Sequence, residues 1–365
     1  MGKIIAIGTA VPEHKYKQKE LANYMHGFCQ LSEAEAKWLE GLYAKTGINE
    51  RNSVLSDFYA NAQEPEVFKV GANPSVSERM KAYRQHYLPL ALSAVHHTRT
   101  QLHNSGTSIE KVTHLITVSC TGMAAPGIDI ELQKTLALPA DTVRLSVNFM
   151  GCYAVFHALK IAQAITSAQP DAMVLIVSVE LCSLHFQPSH NRELMAANAL
   201  FADGAAALVV TSDFAKSEKG FSLASMYAEV IPDSESDMAW SINEDGFLMS
   251  LSSLVPQQIK DATPQLMNKL CYKAGISVSD IRHWAIHPGG PKILEAFQEA
   301  IEIPKEKLSN SYAVLAQNGN MSSPTIAFVL EQFWNKYDEL QTDELIFAAG
   351  FGPGLTVETA LFSVQ

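Results

Sequence analysis

The chain is short of positive charge, of paired cysteines and of long apolar runs, and each shortage removes a class of function. Its 365 residues carry 27 Lys and Arg against 38 Asp and Glu, a formal net charge of −11. Such a surface has no general attraction for nucleic acid or an anionic membrane, though it leaves room for a small basic site that holds a phosphorylated substrate. Only 5 cysteines occur, Cys29, Cys120, Cys152, Cys182 and Cys271, widely spaced and without a CxxC pair. An odd, scattered set supports neither a disulfide framework nor a zinc site. It fits a reducing, cytoplasmic compartment in which a thiol is either buried or reactive. No window approaches the roughly 18 consecutive apolar residues of a membrane span, so no stable membrane insertion is expected. The opening MGKIIAIGTAVPEH is apolar only briefly and reads as a first strand, not a signal peptide.

What is present is the material of a large core. Apolar residues make up 47 % of the chain and charged residues 18 %, and the length calls for two domains or one fold built from two halves. Short β-rich runs at Lys3–Ile7, His114–Ser119, Met173–Val179, Ala205–Val210, His283–Ile286 and Glu344–Ala348 alternate with helical patterns. The helical patterns cover Glu78–Thr100, Tyr153–Thr166, Pro256–Ala274, Pro291–Ala300 and Pro324–Tyr337. Strands separated by helical crossovers predict α/β layers, and strands apolar on both faces predict sheets covered on both sides. Residues 51–77, polar and Asn/Pro-rich, predict a loop excursion or lid. Residues 213–245 mix strand, charge and turn signals and predict the connection between halves together with walls of a pocket.

An internal repeat orders these elements. In the first half a strand ends at Val118-Ser119-Cys120, Asn148-Phe149-Met150-Gly151-Cys152 opens a helix, and a strand follows around Val177. In the second half a strand ends at Ala285-Ile286-His287, Asn318-Gly319-Asn320-Met321-Ser322 opens a helix, and a strand follows around Phe347. Cys120 and Cys152 are 32 residues apart, His287 and Asn320 33. Two copies of one α/β unit related by a pseudo-twofold would bring Cys152 and Asn320 towards one central site. The division expected is residues 1–215, carrying the cysteine, and 216–365, carrying the histidine and asparagine.

Three side chains carry chemistry in this arrangement. Cys152 follows Gly151 and precedes the helical run YAVFHALKIAQAI. Unpaired N–H groups and the positive end of the helix dipole favour thiolate there. His287, in AIHPGGPKI, ends a strand where side chains point into a ligand crevice. It can pair with a thiolate or donate to a developing oxyanion. Asn320, in QNGNMSSP, donates hydrogen bonds without titrating, which suits an oxyanion hole. The stretch GFGPGLTVETALF lacks the spacing of a phosphate cradle and reads as a rigid turn lining a pocket.

The blocks NFMGCYAVFHALKIA, ALFADGAAALVV, IHPGGPKILEAF, NGNMSSPTIAFVLEQ and GFGPGLTVETALF, with AIGTAVPEHKYKQKEL and TGMAAPGIDIEL, resemble the type III polyketide synthases, the chalcone and stilbene synthase superfamily. The resemblance runs in order along nearly the whole chain. It implies an α/β fold of the thiolase-like type, with duplicated halves in five layers, αβαβα, and a cytoplasmic homodimer. It implies no metal and no organic cofactor, only coenzyme A thioesters as substrates. By position, Cys152 resembles the acyl-carrying nucleophile, His287 and Asn320 its triad partners, and Phe201 the gatekeeper between the coenzyme A tunnel and the cavity. Cys120, Cys182 and His185 stand where plant members have lining threonines, and a cysteine at Cys120 resembles bacterial members. Gly246 matches a cavity-floor glycine and Ser322 another lining position. Lys45 and Arg51 fall in the region of basic residues at the tunnel mouth.

The activity so implied loads an acyl-CoA starter on Cys152 and extends it with malonyl-CoA by repeated decarboxylative condensation. An alkylpyrone or alkylresorcinol is the expected product. A ketoacyl-ACP synthase III, with the same fold and triad but one condensation on acyl carrier protein, is the alternative, since TGINER resembles it equally. The GFGPG and HPGGPKILEAF blocks weigh against it. A catalytically dead homologue serving as a binding subunit is disfavoured by the intact Cys152, His287 and Asn320.

Overall fold

A computed structural model describes residues 2–59, 62, 64–69, 72–104, 106–212 and 219–365. The boundary expected between residues 215 and 216 lies outside the described residues, as do positions 60, 61, 63, 70 and 71 of the expected excursion. The first half runs β1 (Gly2–Ala10), β2 (His14–Lys17), α1 (Gln18–Phe28), α2 (Glu33–Ala44), β3 (Glu50–Ser53), α3 (Val76–Asn104), β4 (His114–Ser119), α4 (Ile128–Thr135), β5 (Val143–Asn148), α5 (Ala154–Ala168), β6 (Val174–Leu181), α6 (Arg192–Leu200) and β7 (Asp203–Ser212). The second runs β8 (Phe221–Val230), β9 (Met238–Asn243), β10 (Gly246–Leu251), α7 (Val255–Ala274), β11 (Ile281–Ile286), α8 (Pro291–Ile301), α9 (Ser309–Asn318), α10 (Thr325–Trp334), β12 (Leu345–Gly352) and β13 (Thr356–Val364).

Nine strands hydrogen-bond in the order β11-β12-β13-β8-β1-β7-β6-β4-β5. The order itself is the repeat. Reading outward from the centre, β1-β7-β6-β4 on one side answers β8-β13-β12-β11 on the other, with β6–β4 and β12–β11 parallel and the pairs nearer the centre antiparallel. The two sides meet only through Lys3↔Ser222 and Ile4↔Phe221. So narrow a seam lets the sheet fold about the helices it encloses.

Alternation along the strands shows which layer each face meets. On β6, Leu175, Val177 and Val179 join a core with α1 and α3, whereas Val174 and Ile176 join a different core with α5 and α10. On β12, Ile346 and Ala348 face that same α5 and α10 core, while Phe347, Ala349 and Phe351 face α7 and α8. The layers are therefore α3 with α1, the first half-sheet, α5 with α10, the second half-sheet, and α7 with α8. This is the five-layer αβαβα arrangement of the thiolase-like fold.

Local chemistry sets the helix ends that frame the site. Ser32 and Glu35 form a reciprocal capping box at the start of α2. Pro291 opens α8 directly after Gly290, where its missing N–H costs nothing. The excursion after β3 is pinned, because the Asp57 carboxylate accepts backbone N–H bonds from Glu66, Val67 and Phe68, each at 2.8 Å. No helix among the described residues is long and apolar enough to cross a membrane.

Two glycine substitutions test this packing in opposite directions. A Cβ on Gly8 of β1 would lie 2.5 Å from the Ala94 carbonyl oxygen and 2.8 Å from the Thr98 nitrogen, both fixed backbone of α3. Gly8→Ala is expected to lower stability by about 1–3 kcal/mol. Gly27 lies in α1 with open space around it, and Gly27→Ala is expected to raise stability by about 0.5–1 kcal/mol. Denaturant midpoints measure both, and equal midpoints would contradict the α3–β1 packing.

Candidate active site

A cavity of about 540 Å³ opens between the halves, lined by Cys120, Cys152, Cys182 and Phe201 from the first and by His287, Asn320 and Ser322 from the second. Cys152 sits in a tight 3-10 turn, Gly151–Tyr153, that feeds α5. Gly151 has φ +77°, and a Cβ there would fall 2.1 Å from Pro353 Cδ. Glycine is thus required twice over, by conformation and by the approach of the Gly350–Gly354 turn. That turn lines the cavity through Phe351 and Pro353, as the sequence predicts.

The second half delivers its two groups on backbone that is equally constrained. His287 continues from the end of β11, and its N–H donates to the Ala349 carbonyl at 2.8 Å. It is 1 % exposed, yet neither ring nitrogen has a hydrogen-bond partner. Asn320 does not stand in the first turn of its helix as the repeat alone would suggest; α10 begins at Thr325 and Asn320 lies in extended backbone bridged to Phe201. Its Oδ1 accepts from the Ser322 N–H at 2.8 Å and its Nδ2 donates to the Gly289 carbonyl at 3.2 Å. Those two bonds fix which way the amide faces and leave the second Nδ2 hydrogen for Cys152 and the site.

The electrostatics overturn one expectation. Burial pushes the Cys152 thiol up to about 11; hydrogen bonds from Ser322 and Asn320 pull the other way, and the nearby Glu180 carboxylate adds to the rise. Burial also pushes His287 down to about 3. Desolvation here outweighs the helix terminus and disfavours charge on both the thiol and the imidazole.

Three of the expected lining or mouth residues are elsewhere. Arg51 is 2 % exposed and buried beneath the end of α6, away from the rim. His185 lies behind the wall, its Nε2 against the Thr121 carbonyl at 2.7 Å, its Nδ1 accepting from the Phe247 N–H at 3.2 Å. Its ring stacks on Phe247 at 4.2 Å. Gly246 faces Gln187 and Arg79, which a Cβ would meet at 2.7 and 2.9 Å, not the cavity. The wall there is Trp240, whose Nε1 donates to the Cys120 carbonyl at 2.9 Å. Lys45 does stand at the rim, joined by Arg192 and Lys292, and Arg192 lies over the Trp38 ring at 5.1 Å.

Sequence reasoning passes over Trp240, Arg192, Lys292 and Glu180. Glu180 is fully buried near Cys152 and accepts from the Cys120 N–H, the Thr121 hydroxyl and the Ser323 hydroxyl. Burial raises its carboxyl to about 7. Its one signal is a lone acid, a residue type rarely buried without a reason, in the strand VLIVSVEL, otherwise apolar but for Ser178. Among the described residues no cluster of His, Cys, Asp or Glu is placed to hold a metal.

Residues 1–214 match the family model for chalcone and stilbene synthases, N-terminal domain, and residues 222–364 match that for the C-terminal domain. Among similar proteins is the alpha-pyrone synthesis polyketide synthase-like Pks18 of Mycobacterium tuberculosis, 29 % identical over 99 % of this chain and 91 % of its own length. Type III polyketide synthase B of Arabidopsis thaliana is 31 % identical over 97 % of this chain and 92 % of its own. The crystal structure of PKS-I from the brown alga Ectocarpus siliculosus superposes with a TM-score of 0.93 at 26 % identity, covering 100 % of this chain and 98 % of that one. The bacterial 1,3,6,8-tetrahydroxynaphthalene synthase of Streptomyces coelicolor gives 0.87 at 25 % identity, covering 100 % and 99 %. Proteins of this kind are acyltransferase-type condensing enzymes that work on coenzyme A thioesters without a further cofactor. With both domain models matched in sequence over nearly the whole chain, the protein belongs to the chalcone and stilbene synthases and is a type III polyketide synthase.

Proposed function

We propose that Cys152 carries the growing acyl chain, that His287 and Asn320 stabilise the enolate oxyanion left by decarboxylation, and that the enzyme extends an acyl-CoA starter repeatedly with malonyl-CoA. The observation that carries this reading is a buried imidazole with both nitrogens unpartnered, on the wall shared by a thiol and an oriented carboxamide. An unsatisfied buried polar group costs about 1–3 kcal/mol. A substrate oxygen supplies the missing partner.

The mechanism follows from burial that disfavours charge on both groups. As the Cys152 sulfur attacks the starter thioester, its proton passes to His287, and the imidazolium then protonates the departing coenzyme A thiolate. The histidine, neutral again, keeps one N–H. When malonyl-CoA enters, loss of CO2 leaves an enolate whose oxygen accepts from His287 and from the second hydrogen of Asn320 Nδ2. Each such donor is worth about 3–4 kcal/mol. The enolate carbon attacks the Cys152 thioester, lengthens the chain by two carbons and expels the sulfur as a thiolate, which attacks the extended thioester for the next round while the released coenzyme A thiolate takes a proton from solvent. No strong base is required, because decarboxylation itself generates the nucleophile.

The rim supports the substrate class. Lys45, Arg192 and Lys292 are exposed cations on a chain of net charge −11, suited to the phosphates of coenzyme A, and Trp38 adds a ring beside them. Within the cavity, Met238, Trp240, Met249, Leu251 and Phe351 give an apolar wall suited to an alkyl starter. An alkylpyrone or alkylresorcinol is the product we assign, in keeping with a relative named for alpha-pyrone synthesis. Residues 1–215 then supply the nucleophile, and residues 216–365 the two donors.

We further propose a homodimer. β5 is an edge strand, with Val143 49 % and Leu145 36 % exposed, and Met123, in the segment after its neighbour β4, is 44 % exposed. An unpaired apolar edge is what a second copy covers.

Cys152→Ala is expected to abolish extension while leaving the fold intact. Asn320→Ala is expected to slow malonyl decarboxylation about a hundredfold and starter loading less. Mass spectrometry of acyl-enzyme and of products checks both; equal slowing of the two steps would make Asn320 structural, and a single 3-keto product on carrier protein would replace iterative extension by one condensation. Alkylation of Cys152 by iodoacetamide should keep accelerating from neutral into alkaline pH, because the thiol is held up near about 11. A rate already level below about pH 7 would instead reveal a standing thiolate. Leu145→Asp is expected to yield monomers by light scattering, and an unaltered mass would remove the β5 interface.

A further inference from the structure

Helix α6 ends at Leu200, immediately before Phe201, and points its last carbonyls towards the site. A helix C-terminus leaves its final carbonyls without partners and carries partial negative charge. Here every one of them is taken. The Ala197 carbonyl accepts from the Phe201 N–H at 3.1 Å. The Asn198 carbonyl accepts from Arg51 Nη1 at 2.9 Å, and the Phe201 carbonyl accepts from the same nitrogen. The Ala199 carbonyl accepts from Gln18 Nε2 at 2.7 Å, and the Leu200 carbonyl from the Asn320 backbone N–H at 2.9 Å. The Ala202 N–H returns a bond to the Asn320 carbonyl at 2.8 Å.

Arg51 is the cation at the centre of this set. Its Nε donates to Gln18 Oε1 at 2.9 Å, and Gln18 also reaches the Thr46 hydroxyl at 3.0 Å, next to Lys45 on the rim. Its guanidinium carbon lies 5.8 Å over the Tyr43 ring and 5.7 Å over the Phe186 ring. Among the described residues no carboxylate forms an ion pair with it; the buried Asp203 acts on it from farther away, and the groups that accept directly from it at short range include the carbonyls at the end of α6. On the opposite side it meets the asparagine loop. Gly319 has φ +69°, and a Cβ there would lie 2.8 Å from Arg51 Cδ. The arginine therefore touches both the end of α6 and the residue before Asn320.

We infer that Arg51, with Gln18, is a positioning residue for the condensing reaction, fixing Asn320 and Phe201 through the carbonyls at the end of α6. A buried guanidinium presents several donors in one rigid plane, which a lysine cannot do. Charge-assisted bonds of this kind are stronger and more directional than neutral ones. The inference rests on the reading of Asn320 as an oxyanion donor.

The test measures two steps on the intact enzyme, release of labelled CO2 from malonyl-CoA and formation of the starter acyl-enzyme, for Arg51→Met, Arg51→Lys, Gln18→Met and Asn320→Ala. Misplacing a donor by about 1 Å can cost about a hundredfold. Arg51→Met is expected to lose CO2 release by about that factor with starter loading changed far less, Arg51→Lys to recover part of it, and Gln18→Met to show the same split more weakly. If Arg51→Met does not fold, Gln18→Met carries the test alone. Equal slowing of both steps in the folded variants, or no slowing of CO2 release, overturns the inference. Should Asn320→Ala itself leave CO2 release intact, the donor reading falls and takes the inference with it. If Asn320→Ala loses CO2 release and neither the arginine nor the glutamine variant does, the inference alone falls.

Discussion

Two backbone hydrogen bonds hold the site together, from the Asn320 N–H to the Leu200 carbonyl and from the Ala202 N–H to the Asn320 carbonyl. They are a point at which the second half of the chain is stitched to the first at the cavity that Cys152 lines. A second stitch lies across the cavity, where Pro353 presses on the Gly151 turn. Neither contact belongs to a helix or to the main sheet. Both are possible because β1 and β8 pair over only two residue pairs, so the sheet folds and its two ends converge on α5 and α10. The site is a consequence of duplication: each copy of the unit is incomplete, and the loops before the two central helices meet only when the halves close.

Closing that seam sets the electrostatics. Cys152 lies at a helix start, which favours thiolate by about 0.3–1 kcal/mol. Its rise from 9.0 to about 11 corresponds to the opposite effect at about 3 kcal/mol. Burial wins. The same burial disfavours charge on His287. What disfavours charge on the resting sulfur strengthens hydrogen bonds to charge on a substrate oxygen, since both follow from exclusion of water.

The architecture was legible because periodicity and repetition are properties of sequence. The strand His114–Ser119 and the parallel pair of spacings around Cys152 and Asn320 pointed to two equivalent units, and the sheet order repeats them. Cys152, His287 and Asn320 were legible because each stands beside glycine or proline, which marks a special backbone. Arg51, His185 and Gly246 were not. Each sits in a short irregular or edge segment, where facing is decided by the neighbours across the fold and a shift of one residue reverses a side chain. β3 has only 4 residues, 3 of them buried, so its pattern gives no alternation by which to send Arg51 inward or outward. Arg192 and Lys292 were missed for the converse reason: an exposed cation at a helix start looks the same whether or not a cavity opens beside it.

The misplacement of Gly246 alters the picture of the cavity itself. A glycine floor suggests room for a long chain, but the surface the substrate meets is the indole of Trp240, tied to the Cys120 carbonyl and backed edge-on by His185 at 5.7 Å and by Phe247 at 6.0 Å. His185 is held in turn by Thr121 and Phe247, which leaves the indole little freedom to swing aside. The carbonyl it grips is that of Cys120, whose sulfur accepts from the Gly151 N–H at 2.9 Å. Cavity wall and nucleophile turn are consequently one hydrogen-bonded unit. Substitutions that enlarge the cavity at Trp240 therefore act on the backbone that carries Cys152 as well as on the space inside the cavity.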